Sequence, residues 1–99
     1  MDTLRKLELL KDTYSDQAEL DRIVGKLLEI ALNQHRERLE RYNRSLREFE
    51  QRYRMDSAVF YQRFEAGELG DDIDFFEWSG LYELCQNILE KIHHLELAV

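Results

Sequence analysis

The side chains with which this chain could do chemistry are three histidines, one cysteine and a run of carboxylates. The carboxylates Asp71, Asp72, Asp74 and Glu77 would suit a hard cation. A calcium loop of the EF-hand kind, however, needs oxygen ligands at alternate positions, a glycine among them and a distal glutamate. The order Asp-Asp-Ile-Asp-Phe-Phe-Glu from Asp71 to Glu77 does not supply that pattern. Asp74 and Glu77 have instead the spacing of a capping box at the start of a helix, where the macrodipole favours negative charge. Glu90 and His93 make a single Glu-x-x-His, whereas a di-iron bundle needs two such motifs and further carboxylates. Cys85 falls on an apolar stripe at helical spacing, the place of a buried, inert thiol. No glycine-rich phosphate loop, cysteine-rich zinc spacing or nucleophile elbow occurs. The expectation is a non-catalytic protein with no metal and no cofactor.

Side chains suited to recognition are more concentrated. Phe60, Tyr61, Phe64, Phe75, Phe76 and Trp78 fall within 19 residues around an acidic connector that holds Asp71 and Asp72. They can be an ordinary small core where two helices meet. Alternatively, one or two rings are exposed anchors ringed by charge, as in binding hot spots. Phe75 and Phe76 stand about 100° apart on a helix, so a single neighbour cannot easily bury both. Asp71 and Asp72 would complement a basic partner surface. These eight residues form the candidate partner-binding set.

Charge is unevenly distributed. The net value is −7, yet residues 1–54 carry +1 and residues 55–99 carry −8. Between Arg36 and Arg54 stand seven arginines, interleaved with Glu37, Glu40, Glu48 and Glu50. Such a strip reads as a solvated helix face laced with pairs such as Glu37–Arg41, Arg44–Glu48 and Glu48–Arg52. The interleaved acids and the overall negative charge argue against nucleic acid as the partner.

The elements that must hold these residues are helices. Proline is absent and glycine occurs only four times, too few turn residues for sheets or loop-rich folds. Residues 3–12 form a short amphipathic stretch with Leu4, Leu7 and Leu10 on one side, followed by a break at Thr13–Asp16. Asp16 and Glu19 then open a long helix to about Tyr53. Its apolar stripe runs Leu20, Val24, Leu27, Ala31, then Leu39, Tyr42, Leu46, Phe49 and Tyr53. His35 divides the gap of eight, one stutter in a heptad pattern, and is expected at an interface near the helix midpoint. A helix of that length is about 55 Å long and cannot bury itself in a compact domain. Gly25 and Asn43 are possible breaks in it. Asp56 caps a short helix over Ser57–Ala66, which Gly67 ends in a left-handed conformation. A last helix over Phe75–Leu95 carries Phe75, Trp78, Leu81, Tyr82, Cys85, Ile88, Leu89, Ile92 and Leu95, an arc wide enough for two neighbours.

The predicted fold is all-α and single-domain over residues 1–99. It is an elongated hairpin of a coiled-coil-like long helix (16–54) and an acidic aromatic helical module (55–99), with a short connecting helix between the long ones. One cysteine permits no internal disulfide, no apolar run approaches the ~20 residues of a membrane span, and no signal-peptide core is visible, so the expected setting is cytoplasmic.

From Tyr53 onward the chain resembles small prokaryotic all-helical antitoxins of toxin–antitoxin gene pairs. The resemblance lies in Met55-Asp56-Ser57, Phe60-Tyr61, the string Phe64-Glu-Ala-Gly-Glu-Leu-Gly-Asp-Asp72, then Asp74-Phe-Phe-Glu-Trp78 and Leu81-Tyr82. It covers the last half of the chain, with a looser match of the charged helix before it. Arg54 stands where the pattern expects glycine, which argues against a sharp left-handed stop to the long helix. The resemblance implies an inhibitor that wraps a long helix and an acidic aromatic module around a small toxin. Such toxins are commonly basic ribonucleases. The alternative is a self-associating structural or adaptor protein whose Leu20–Tyr53 stripe pairs with its own copy.

Overall fold

The computed structural model describes residues 1–14 and 16–99. Within them the chain forms helices α1 (Thr3–Thr13), α2 (Gln17–Tyr53), α3 (Ser57–Glu65) and α4 (Ile73–Ala98), and no strand. The helical hairpin expected from the periodicity is present. Ser15, in the expected break before α2, lies outside the described residues.

Each helix starts where an aspartate can cap it. The carboxylates of Asp2, Asp16, Asp56 and Asp72 accept hydrogen bonds from the N–H groups of Arg5, Ala18, Ala58 and Asp74. The last of these corrects the sequence reading. α4 begins at Ile73 rather than Phe75, and Asp72, not Asp74, is its N-cap. Asp74 is thereby free to turn its own side chain towards α2.

Neither Gly25 nor Asn43 interrupts α2. Its end is sharp despite the missing glycine: Arg54 adopts a left-handed conformation, φ 51° and ψ 49°. A non-glycine residue there costs about 1–2 kcal/mol, and Glu50 supplies the compensation. Its carbonyl accepts the N–H groups of Arg54 and Met55, and its carboxylate accepts the Ser57 N–H at 2.9 Å. One residue thus closes α2 and helps to open α3. At the far end of α3, Gly67 is left-handed (φ 73°), its N–H returns to Phe64 and that of Glu68 to Arg63, the Schellman arrangement. An Arg63–Glu68 ion pair of 3.3 Å reinforces that turn.

α4 runs back along α2, antiparallel to it. One cluster buries Leu46, Phe60, Trp78 and Cys85 where α2, α3 and α4 meet. A second buries Leu32, Ile88 and Ile92 between α2 and α4 alone. The wide apolar arc of α4 therefore has two neighbours only over its first half. Leu89, expected on the buried stripe, is 45% exposed because α3 has ended by that level.

Leu32 lies one residue off the stripe read from the sequence. Counting back from Tyr53 in strict heptads passes Phe49, Leu46, Tyr42, Leu39, His35, Leu32 and Leu28. α4 covers that phase as far as Leu32. The earlier positions Val24 and Leu27 belong to a phase displaced by one residue and stay largely exposed. Half-buried His35 sits at the midpoint of α2, and its Nδ1 is enclosed without a hydrogen-bond partner. The molecule is elongated, 59 × 24 × 18 Å, with a radius of gyration of 19.5 Å. A compact domain of this length would have about 13 Å.

Candidate functional site: an apolar groove at the acidic end

The first turns of α4 divide the aromatic residues between core and surface. Trp78 is completely buried, stacked on Phe60 with centroids 3.8 Å apart and planes within 4°. Phe49 and Tyr53 also stack on it, with centroids at 5.6 and 5.7 Å. Its indole N–H donates to the buried hydroxyl of Ser57 at 2.9 Å, so the one polar atom of the ring is satisfied inside the core. Phe75 turns inward, edge-on to Tyr53 at 5.3 Å. Phe76, one residue further round the helix, points out. It is 58% exposed and touches the chain edge-on at Phe64, 5.4 Å away.

Asp74 fixes this turn of α4 to α2. Its Oδ2 accepts from the Tyr53 hydroxyl at 2.5 Å and from the Arg52 guanidinium at 2.9 Å. The Tyr53 hydrogen bond, then Arg52, hold the Asp74 carboxyl below the ordinary carboxylate range against partial desolvation, while the same bond pushes the Tyr53 phenol up. A lowered carboxyl stabilises the fold fully above the unfolded value, about 3.9, and that stabilisation disappears as pH falls through the lower folded value. The urea midpoint is therefore expected to drop as pH falls below about 4, and Asp74→Asn should reduce the size of that drop. An identical acid profile in the variant would remove Asp74 from the account. On the opposite side, the Tyr61 hydroxyl donates to Glu83 at 2.6 Å, which pushes the phenol up to about 12.

Of the eight candidate residues, then, Phe60 and Trp78 are core and have no surface to offer. Tyr61, Phe64 and Phe75 are half-buried, whereas Asp71, Asp72 and Phe76 are exposed. Asp72 also has a structural duty as the α4 cap. On the Arg-rich face of α2, the described ion pairs include one of the expected i to i+4 kind, though not the three named from the sequence. Arg44 meets Glu40 at 3.6 Å, while Arg36 and Arg52 reach across to Glu96 and Asp74 on α4. All three arginines are more than half exposed, so these pairs contribute little stability.

Beside Phe76 lies a groove of about 670 Å³ between α2 and α4. Half-buried Ser45, Phe49 and Leu81 line it from within, and exposed Phe76, Gly80 and Leu84 line it along α4. Glu77, Glu83 and Asn87 supply polar groups at its edges. Sequence reasoning missed Gly80 and Leu84. The signal was the spacing Phe76–Gly80–Leu84, a second line at i, i+4 and i+8 on the face turned away from the core stripe. Ile73, 73% exposed, continues it by one turn. Gly80 is unexplained by the chain's own packing. A Cβ there would meet nothing within 4 Å, and its backbone is not left-handed. A glycine in a helix interior costs about 1 kcal/mol against alanine. Here it leaves a notch between two exposed apolar side chains.

Chemically this arrangement can hold an apolar side chain or helix face under an acidic rim. Among the described residues, no three His, Cys, Asp or Glu side chains converge as a metal site, and no helix is long and apolar enough to cross a membrane. Cys85 is buried, 4.0 Å from the Asn43 amide oxygen, and desolvation pushes its thiol up, away from the reactive thiolate. Compared with family models, curated proteins and solved structures, the chain matches none.

Proposed function

We propose that this chain is a non-catalytic protein-binding protein, an antitoxin that neutralises a small basic toxin by seating it on the Phe76–Gly80–Leu84 groove. The observation that carries the reading is an exposed phenylalanine and leucine flanking an unfilled glycine notch, within a segment of net charge −8. A straight line of apolar positions along a helix suits a partner helix laid into the groove. Glu77 and Glu83 at its edge suit basic residues flanking that helix. A small cytoplasmic ribonuclease toxin has the chemistry to provide both. The alternative, a structural protein self-paired along Leu20–Tyr53, has lost half of its surface, because α4 already occupies that stripe from Leu32 onward.

Sequencing the genes beside that of this chain, and expressing any small basic protein encoded there, tests the proposal. Alone it is expected to arrest growth, and co-expression of this chain should relieve the arrest. Gly80→Leu fills the notch, gains helix propensity and meets no atom of its own chain at Cβ. It should fold and accumulate normally yet give no relief. Relief by Gly80→Leu equal to wild type would move the docking site elsewhere, and absence of any arrest would remove the antitoxin reading.

A further inference from the structure

At the opposite end of the molecule, α2 extends past its last buried residue, Leu32, by the 15 residues from Gln17 to Ala31, about 22 Å. We propose that this overhang, together with α1, is the interface of a homodimer, its occupant being the same segment of a second copy. The proposal is independent of the groove and of what the groove binds.

Four observations support it. The first is the change of phase in α2. From Leu32 onward the apolar stripe faces α4, but Val24 and Leu27 sit on a stripe displaced by one residue, about 100° round the helix. Among the described residues that side of the helix is only partly covered: Leu20 and Ala31 are half-buried, but Val24 and Leu27 are 43% and 57% exposed, and Ile30, further round, is 54% exposed. A change of phase at the point where one partner ends is what a helix facing a different partner requires.

The second is α1. It has 11 residues, none of them buried, with Leu4, Leu7 and Leu10 repeating at every third position. A helix shorter than about 12–15 residues is marginal in water without packing, and the chain provides α1 with no buried contact. α1 and the overhang are of similar length, so two of each can assemble as a four-helix bundle.

Area is the third. A compact monomer of this mass exposes about 6,000 Å², whereas this chain exposes 7614 Å². The excess, about 1,600 Å² per chain, is about twice the ~800 Å² that each partner buries in a standard interface. Of the fifteen large hydrophobic residues that are exposed among those described, eight lie between Met1 and Ile30. The surplus apolar surface is thus concentrated at this end.

Charge selects the occupant. Residues 1–31 have a net charge of −2, against −8 for residues 55–99. Two copies meeting through the first segment bring nearly neutral surfaces together and keep the strongly acidic modules at opposite ends. A basic foreign protein is drawn to those modules, not to this face.

The full chain is tested by size-exclusion chromatography with light scattering over a concentration series. The expected mass is twice the 12.0 kDa of the chain. Leu7→Asp with Leu27→Asp should halve it. Trp78, the only tryptophan, reports independently that the core of α2, α3 and α4 remains folded, because neither leucine belongs to it. A second variant, Leu4→Gln/Leu7→Gln/Leu10→Gln, alters α1 alone and is expected to halve the mass in the same way. A wild type of single-chain mass at every concentration would overturn the proposal. So would a dimer that survives both sets of substitutions with Trp78 still buried.

Discussion

Replacing Phe76 by alanine is expected to weaken binding of the basic partner about thirtyfold while leaving helical content unchanged. Truncating a central aromatic anchor costs about 2 kcal/mol or more of binding, and 1.4 kcal/mol is a factor of about ten. Inside the chain, the ring's aromatic contact is one edge-on approach to Phe64, worth about 0.5–1.5 kcal/mol. That is small against the ~5–15 kcal/mol stability of a domain of this size. Binding and folding should therefore separate at this residue. Titration of the partner, with circular dichroism as the control for folding, reads both. Asp71→Asn with Asp72→Asn should act differently, slowing association more than it speeds dissociation, with the defect shrinking at high salt. Asparagine caps a helix about as well as aspartate, so this pair removes charge without uncapping α4. If Phe76→Ala unfolds the chain, the ring belongs to the core and the groove is not a docking site.

Trp78→Ala should have the opposite profile, a loss of fold rather than of surface. The ring is fully buried against Phe60, Phe49 and Tyr53. Emptying such a site costs about 3–5 kcal/mol, and leaving the Ser57 hydroxyl unpaired adds about 1–3 kcal/mol. The combined cost approaches the whole stability of a small domain. The cooperative urea transition seen by far-ultraviolet circular dichroism should be lost or moved to near zero denaturant. Trp78→Phe keeps one six-membered ring but loses the donor and part of the indole's volume, so its midpoint should fall between the two. A Trp78→Ala chain with the wild-type midpoint would contradict the account of the core. Two aromatic residues two positions apart on α4 are thus assigned opposite roles.

That contrast marks where sequence reading stopped. Periodicity and the scarcity of glycine and proline were enough for four helices and an antiparallel hairpin, and Gly67 stood where its left-handed turn was expected. The 100° between Phe75 and Phe76 correctly anticipated that one would face inwards and one outwards. It could not say that Phe60 and Trp78 would be wholly buried, since that depends on α3 folding back across α4, a long-range event. Asp72 and Asp74 exchanged roles for a similar reason. Either spacing can cap a helix, and only the approach of Arg52 and Tyr53 decides which carboxylate turns to α2. The left-handed Arg54 was unforeseen because its compensation comes from Glu50, through a turn that a local pattern does not describe. The groove was hidden because Gly80 and Leu84 are polar-face positions of the core stripe and acquire meaning only beside Phe49 of α2.

The central claim is that the partner docks on α4 at the acidic end. Amide hydrogen exchange of this chain, with and without the purified basic partner, tests it most directly. The account predicts added protection across Phe76–Asn87 and on Ser45–Phe49 opposite, with the Arg36–Arg44 stretch of α2 unchanged. Protection confined to that arginine-laced stretch, or no protection at all from a protein that this chain neutralises, would contradict it.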